Sequence, residues 1–290
     1  MSKKILMTGA SGGFGKLTVK KLIENGHQVA AGMRDVAGRN KNTAKELSSL
    51  GAIIIELDVT NDDSVSNGVA TAIEKLGGLD VLMNNAGIGS AGMIEFFTTA
   101  DFQKIYEVNV FGVQRMNRAV VPYFREQKKG LIVYTSSLLG RITLPFYGLY
   151  QTSKWALEAL AENYRAELSI FGIENCIVEP GGFPTAFAEN LMFPSDTSQA
   201  KNYGEFINAP QKMGENFHNV LLNNPQQDPQ RVADAFAELI DIPYGEKPFR
   251  TEVDFIGMGD HVTKYNEHLS QVTAGIYTNF GIVDMLSVQK

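Results

Sequence analysis

Cysteine occurs once in 290 residues, at Cys176. A single thiol excludes an intramolecular disulfide framework and suits a reducing compartment. Its setting, Glu174-Asn175-Cys176-Ile177-Val178, reads as buried strand, so an inert sulfur is expected. Long apolar runs are missing as well: none approaches the roughly 18 residues of a membrane span. The chain passes from Ser2-Lys3-Lys4 into a strand without a hydrophobic leader, so a soluble, cytoplasmic protein with no membrane partner is the expectation. Basic excess is absent, with 26 Lys and Arg against 32 Asp and Glu and a formal net charge of -6. No Lys or Arg run is long enough to track phosphates, which argues against a nucleic-acid partner. Histidine is scarce, and His218, His261 and His268 show no metal-ligand spacing, so most are expected at the surface and no metal is expected.

What remains is an ordinary globular composition, 44% hydrophobic and 20% charged, on a length that suits one α/β domain spanning 1–290. Ile5-Leu6-Met7 leads directly into Thr8-Gly9-Ala10-Ser11-Gly12-Gly13-Phe14-Gly15. An amphipathic stretch carrying Leu17, Val19, Leu22 and Ile23 follows and stops at Asn25-Gly26. This is strand, glycine turn, helix: glycines let backbone N–H groups approach a pyrophosphate, and the helix N-terminus adds partial positive charge. The turn therefore points to dinucleotide binding.

The alternation then repeats. His27 to Met33 reads as a strand with Arg34-Asp35 just past its end, and Ala44 to Leu50 as a helix stopped by Gly51. Ala52 to Leu57 is a third strand ending in Asp58-Val59-Thr60, and Asp62-Asp63-Ser64 can cap the next helix. Leu79 to Met83 is a fourth strand before Asn84-Asn85-Ala86-Gly87. Leu131 to Thr135 is a fifth, delivering Ser136-Ser137. Strands alternating with helices across short turns imply a doubly wound, Rossmann-like α/β fold, a parallel sheet with helices on both faces. Ligands bind such sheets beyond the carboxyl ends of the strands, where these turns should converge. An acidic residue about 20 positions past the glycines holds a ribose 2′-hydroxyl and an arginine a 2′-phosphate, and spacing alone does not choose between Arg34 and Asp35.

Between them, Asp101 to Asn117 forms a long helical pattern that carries Asn109 among apolar residues, an unusual place for an amide. From Gly148 to Phe171 the pattern is helical again, so Tyr150 and Lys154 share a face about 5–6 Å apart. A free phenol near pKa 10 is a poor acid–base group at neutrality. An ammonium about 5 Å away, at an effective dielectric near 20, would favour the phenolate by about 3 kcal/mol, roughly a hundredfold. Ser137 supplies a hydroxyl that can hold a carbonyl oxygen beside the phenol. Tyr147 has Gln151 four residues on, so Tyr150 is the tyrosine of the two with a lysine to tune it.

These residues together resemble the classical short-chain dehydrogenase/reductase family. The matches are Thr8-Gly9 with Gly13 and Gly15, Asp58-Val59, Asn84-Asn85-Ala86-Gly87, Asn109, Ser137, Tyr150 with Lys154, and Pro180-Gly181 with Thr185, in order from residue 5 to about 185. The resemblance implies a tetrad: Tyr150 as acid–base group, Ser137 orienting the carbonyl, Lys154 binding the nicotinamide ribose and lowering the phenol, and Asn109 holding a water that feeds a proton relay. It implies cofactor contacts at Thr8, Gly9, Ser11, Gly13, Phe14, Gly15, Arg34, Asp58, Val59, Asn85, Ala86, Gly87, Pro180, Gly181 and Thr185. Arg34 stands at the family's basic position and Met33 at its acidic one, which implies NADP(H); Asp35 keeps NAD(H) as the alternative. Gly12 also gives the Gly9-x-x-Gly12-x-x-Gly15 spacing of the extended branch, against which the intact Asn84-Asn85-Ala86-Gly87 and helix-borne Asn109 stand. A homodimer or homotetramer follows from the same resemblance.

From 186 to 227 the alternation breaks down, and Phe187, Met192, Phe193, Tyr203, Phe206, Met213 and Phe217 scatter among polar residues. An irregular insertion at this point suits a substrate lid over an apolar or aromatic carbonyl or alcohol; a packed helical excursion is the bland alternative. Asp228-Pro229 starts another helix, Phe249 to Phe255 is a last strand, and the tail from Asp260 can form one more helix. The sequence thus reads as an NADPH-dependent carbonyl reductase, or in reverse a secondary-alcohol dehydrogenase. The alternatives are a dinucleotide-binding sensor without catalysis and an NAD-dependent hydroxysteroid-type dehydrogenase.

Overall fold

The computed structural model describes residues 2–288; residues 1, 289 and 290 lie outside the described residues. Apolar residues alternate between two cores, which is why the strands read as nearly unbroken hydrophobic runs. In β1 (Lys4–Met7), Ile5 and Met7 join one core while Leu6 joins the other. The same division separates Val81 and Met83 from Leu82 in β4 (Val81–Asn84), and Val133 from Ile132 and Tyr134 in β5 (Gly130–Thr135). With β2 (Gln28–Met33), β3 (Ile53–Glu56), β6 (Ile173–Pro180) and β7 (Arg250–Val253), they form a sheet in the order β3-β2-β1-β4-β5-β6-β7, every pair parallel. The Rossmann-like expectation holds, and the chain crosses over between β3 and β4, so the crevice opens beyond β1 and β4.

One face is covered by α1 (Gly13–Glu24), α2 (Lys41–Ser49) and α8 (Gln230–Asp241), with Val19, Leu22, Leu47 and Phe236 buried beneath them. The other carries α3 (Asp62–Leu76), α5 (Gly112–Glu126) and α6 (Gly148–Leu168), through Val69, Met116, Phe124 and Leu157. Asn61 starts α3 by accepting the Ser64 N–H at 2.8 Å, and Gly77 ends it at φ 65°.

The helix expected over 101–117 is longer and broken in register. It begins as α4 (Thr99–Tyr106), capped by Thr98 and Asp101, passes through a π-helical segment at Glu107–Phe111, and continues as α5. Asn109 sits in that π segment, so the amide that looked out of place in a regular helix occupies a widened turn. The stretch expected to be irregular is largely helical: short 3-10 turns at Ala188–Asn190 and Ala200–Asn208 lead into α7 (Ala209–Leu222). Leu221 is its buried residue, so α7 lies on the surface of the fold.

The tail forms α9 (Gly259–Asn279), anchored by a buried polar cluster. Arg250 of β7 pairs with Glu158 and Glu162 of α6 and, at 3.1 Å, with Glu179 of β6. Asn266 of α9 donates to Glu179 at 2.7 Å and Glu252 at 2.6 Å, and accepts from Arg141 at 3.0 Å. Burial, and then the neighbouring Glu158 carboxylate, hold Glu179 well above the usual carboxylate range. Cys176 is buried and its thiol is pushed up to about 12 by that burial, in line with an inert sulfur, and His218, His261 and His268 are exposed. Among the described residues no helix is long and apolar enough to cross a membrane.

Candidate active site

The ends of β1, β4 and β5 are tied into one platform. Thr8 Oγ1 accepts the N–H groups of Asn85 and Ala86, each at 3.0 Å. Asn85 returns its side-chain amide to the Thr8 and Gly9 carbonyls at 3.1 and 3.2 Å and accepts from Thr135 Oγ1 at 3.3 Å. Thr8 and Asn85 therefore shape the turn from beneath. Gly9 has φ 67°, and a methyl group on Gly15 would lie 2.2 Å from the Gly9 carbonyl oxygen, so both positions demand glycine. At Gly12 a methyl would meet no protein atom within 4 Å, so the extended-branch spacing has no steric basis in this turn. The first turn of α1 has no side-chain cap and no acidic residue, which leaves its N–H groups to an anion. Gly13 faces Thr185, Phe14 packs edge-on against Phe183 at 5.6 Å, and Ser11 lies half-buried in the turn. A pyrophosphate fits this cradle.

A shallow cleft of about 510 Å³ lies beyond β2 and β3, lined by Arg34, Asp35, Arg39, Glu56 and Asp58. Its carboxylates are largely committed to the protein. Glu56 accepts the N–H groups of Asp35 and Val36 at 2.7 and 2.9 Å, and Asp35, at φ 52°, accepts the Arg39 N–H at 2.8 Å. Asp58 Oδ1 holds Thr60, while its Oδ2 lies 3.9 Å from Arg34. Arg39 was not singled out from the sequence; an exposed arginine after a turn carries no local signal, and the left-handed residue that swings it toward Arg34 is an aspartate, not a glycine. Val59 is buried against Gly112.

Ser137, Tyr150 and Lys154 meet beyond β5. Ser137 Oγ accepts the Leu139 N–H at 3.1 Å and donates to the Pro180 carbonyl at 3.3 Å, so β6 helps to aim it. Lys154 Nζ donates to the Thr135 carbonyl at 2.7 Å and lies 5.7 Å from the centre of the Tyr150 ring. Gly87 lies between Asn109 and Lys154, where a methyl would come 3.4 Å from Asn109 Oδ1 and 3.8 Å from Lys154 Nζ. Gly181 backs onto Asp254, and its N–H bonds the Val253 carbonyl at 2.9 Å, which places Pro180-Gly181 at the mouth of the site.

One expectation is corrected. Lys154 was expected to lower the Tyr150 phenol; instead burial pushes the phenol up to about 12, opposed by the Ser137 hydroxyl, while burial pushes Lys154 down to about 8. Desolvation dominates the phenol because Tyr150 packs against an apolar cluster of Phe97, Ile105 and Leu149, with Ile88 beside it. Glu158, one turn beyond Lys154, partly restores the ammonium. Asn109 was expected to hold a water. Its side chain is engaged within the fold, accepting the Ile88 N–H and donating to the Ile88 carbonyl and Ser153 Oγ, each at 2.9 Å.

The insertion after β6 closes over this shell. Met192 pairs with Gly89 and Ala91 across an isolated bridge to Ser90, and Ser195 bonds the buried Asp101 carboxylate. The Ser195 hydroxyl is the main reason the Asp101 carboxyl is pulled down to about 2.

Residues 3–193 match the model of a family described as short chain dehydrogenase. A 3-ketodihydrosphingosine reductase of Bacteroides thetaiotaomicron is 37% identical over 201 residues, 69% of this chain and 71% of that protein. Among solved structures, a short-chain dehydrogenase from Streptomyces avermitilis superposes with a TM-score of 0.75 at 28% identity, covering 97% of this chain and 98% of that one. A 3-ketoacyl-(acyl-carrier-protein) reductase from Brucella melitensis, complexed with NADH, gives 0.73 at 25% identity over 89% and 98%.

Proposed function

The chain belongs to the short chain dehydrogenase family and is an oxidoreductase on a nicotinamide-dinucleotide-binding fold, and from that premise we propose that it is an NADPH-dependent reductase of apolar ketones. The observation that carries this reading is the convergence of Ser137, Tyr150 and Lys154 beyond β5, beside a glycine cradle open to a pyrophosphate. The dinucleotide, when bound, supplies the hydride that reduces the carbonyl carbon. The protein's own groups handle the oxygen and its proton. Ser137 turns its O–H from the Pro180 carbonyl to the substrate oxygen, and Tyr150 donates the proton that completes the alcohol. A phenol held near 12 is fully protonated at neutrality, so it is charged with the proton that reduction consumes. Lys154, near 8, is a cation at neutral pH beside the oxygen that gains electron density. With the Asn109 side chain engaged, its main-chain carbonyl in the π-helical turn would take the relay's water.

NADP(H) is favoured over NAD(H) by how the adenosine cleft spends its charges: its acids serve main-chain N–H groups, while Arg34 and Arg39 remain for a 2′-phosphate. An apolar ketone is favoured by the aromatic insertion over Tyr150, and two of the three similar proteins above are named as reductases of 3-keto compounds. Self-association through the outer helical face, where Phe111 and Trp155 are exposed, completes the reading and is checked by sedimentation. The test of the reaction is NADPH oxidation against a panel of apolar ketones by wild type and Tyr150→Phe. Loss of turnover in the variant supports it, and equal rates overturn it.

A further inference from the structure

Phe187 is the residue of the insertion that reaches the reacting tyrosine. Its ring meets the Tyr150 ring edge-on, with centroids 5.7 Å apart and planes at 63°. Gly89 forms its seat: a methyl there would fall 2.4 Å from Phe187 Cζ and 2.6 Å from Leu191 Cδ2, so the loop after β4 leaves room for the ring by lacking a side chain. The neighbouring backbone is pinned on both sides of this contact. Thr185 Oγ1 accepts the Phe187 N–H at 3.3 Å, and Met192 N–H bonds the Gly89 carbonyl at 2.9 Å. Phe187 remains 42% exposed, a poor arrangement for a residue whose purpose is core packing. Its covered side is the side that faces Tyr150.

We propose that Phe187 is a positioning residue acting through Tyr150: seated on Gly89, its ring shuts water from the phenol and forms the apolar wall along which a ketone substituent must lie. The proposal rests on the reading of Tyr150 as the proton donor. A flat or unbranched apolar substituent can lie along such a wall; a carbonyl with a branched carbon beside it has to displace the ring. The groups set against Tyr150 are Lys154 from its own helix and Ser137 from the β5 end, and Tyr106 of α4 belongs to the same packed cluster. None of them moves when Phe187 is truncated, so a change in the titration of Tyr150 reports the cover itself. Burial is the first cause of the high phenol, and removing part of it lowers the midpoint.

The experiment has an arm that needs no turnover. Protein carrying 3-fluorotyrosine is titrated into alkaline pH by fluorine NMR, with the signal of residue 150 assigned by its loss in Tyr150→Phe. In Phe187→Ala the midpoint falls by about one pH unit. Gly89→Ala, which pushes the ring off its seat, gives a fall in the same direction, and the double variant matches Phe187→Ala alone, since the seat matters through the ring. Phe187→Leu, which keeps an apolar cover, restores the wild-type midpoint. In the turnover arm, the alkaline limb of kcat/KM moves down with the midpoint, KM for an unbranched ketone rises about tenfold, and selectivity against branched ketones weakens. An unchanged Tyr150 midpoint in both single variants overturns the inference, as does failure of Phe187→Leu to restore it. A shifted midpoint in a protein that reduces no ketone leaves the inference standing and sinks the proposed reaction instead.

Discussion

Removing the guanidinium of Arg34 should weaken NADPH selectively, by an amount the cleft allows to be worked out. Its side chain is 47% exposed and meets Asp58 at a loose 3.9 Å, so little intramolecular bonding is lost on truncation. Hydrogen bonds to charged groups contribute about 1.5–3 kcal/mol, and an exposed, screened group falls at the lower end. Arg34→Ala should therefore cost about 1.5 kcal/mol in kcat/KM for NADPH, close to tenfold. Arg39→Ala should cost a similar factor, and the pair about a hundredfold where the two act independently. NADH lacks the 2′-phosphate, so its kcat/KM should stay nearly level. Charge screening offers a second readout, because the Debye length is about 10 Å at 0.1 M salt. Wild-type KM for NADPH should rise with ionic strength more steeply than KM for NADH, and the difference should vanish in the double variant. Steady-state kinetics with both cofactors at two salt concentrations provides the assay. An NADPH-to-NADH ratio that is unmoved in the double variant would refute the assignment of the cleft.

Tyr150→Phe should lower kcat by a factor of about 100–10,000, as expected for a lost proton donor, while cofactor affinity measured by fluorescence titration stays level. Lys154 has a folded pKa near 8 against 10.5 unfolded, so folding penalises its charged form; the penalty is full below 8 and is relieved as pH rises toward 10.5. Urea midpoints of wild type should therefore rise relative to Lys154→Met across that window, by up to about 3 kcal/mol, and parallel curves would refute the shift. Gly15→Ala, with its methyl 2.2 Å from a backbone oxygen, should lower stability by about 1–3 kcal/mol, whereas Gly12→Ala should change it by less than about 0.5 kcal/mol; thermal melts of both check this. Arg250→Ala removes the guanidinium set against Glu158, Glu162 and Glu179, leaving Glu158 to Arg141 at 3.7 Å, and should cost about 3–5 kcal/mol in a urea melt.

Much of the fold was legible because its signals are local. Ile5-Leu6-Met7 before a glycine turn, and the four-residue step from Tyr150 to Lys154, are fixed by strand and helix geometry, and the structure reproduces both. The reading failed where a property depends on what surrounds a residue. The Tyr150–Lys154 spacing gave their separation but not the desolvation of the phenol, to which Phe97 and Ile105 contribute from distant positions in the chain. Asn109 was noticed as an anomaly, but the widening of its helix depends on ties to Ile88 and Ser153 that no periodicity reveals. Arg39 and Phe187 went unassigned because each reaches the site through an irregular backbone, one past a left-handed aspartate and the other from an insertion without alternation.

The cluster around Arg250 also sets a timetable for biosynthesis. Glu158 and Glu179 emerge from the ribosome well before residue 250, so the nascent chain carries two carboxylates destined for the interior and no guanidinium from β7 to receive them. Asn266 of α9, which bonds Glu179 and Glu252, arrives later still. The strand that holds Pro180 against Ser137 can pair with β5 before then, but its other edge stays open until β7 is made. A chain made only that far can form its glycine turn, while the carboxylates of α6 and β6 wait for a residue on the far edge of the sheet.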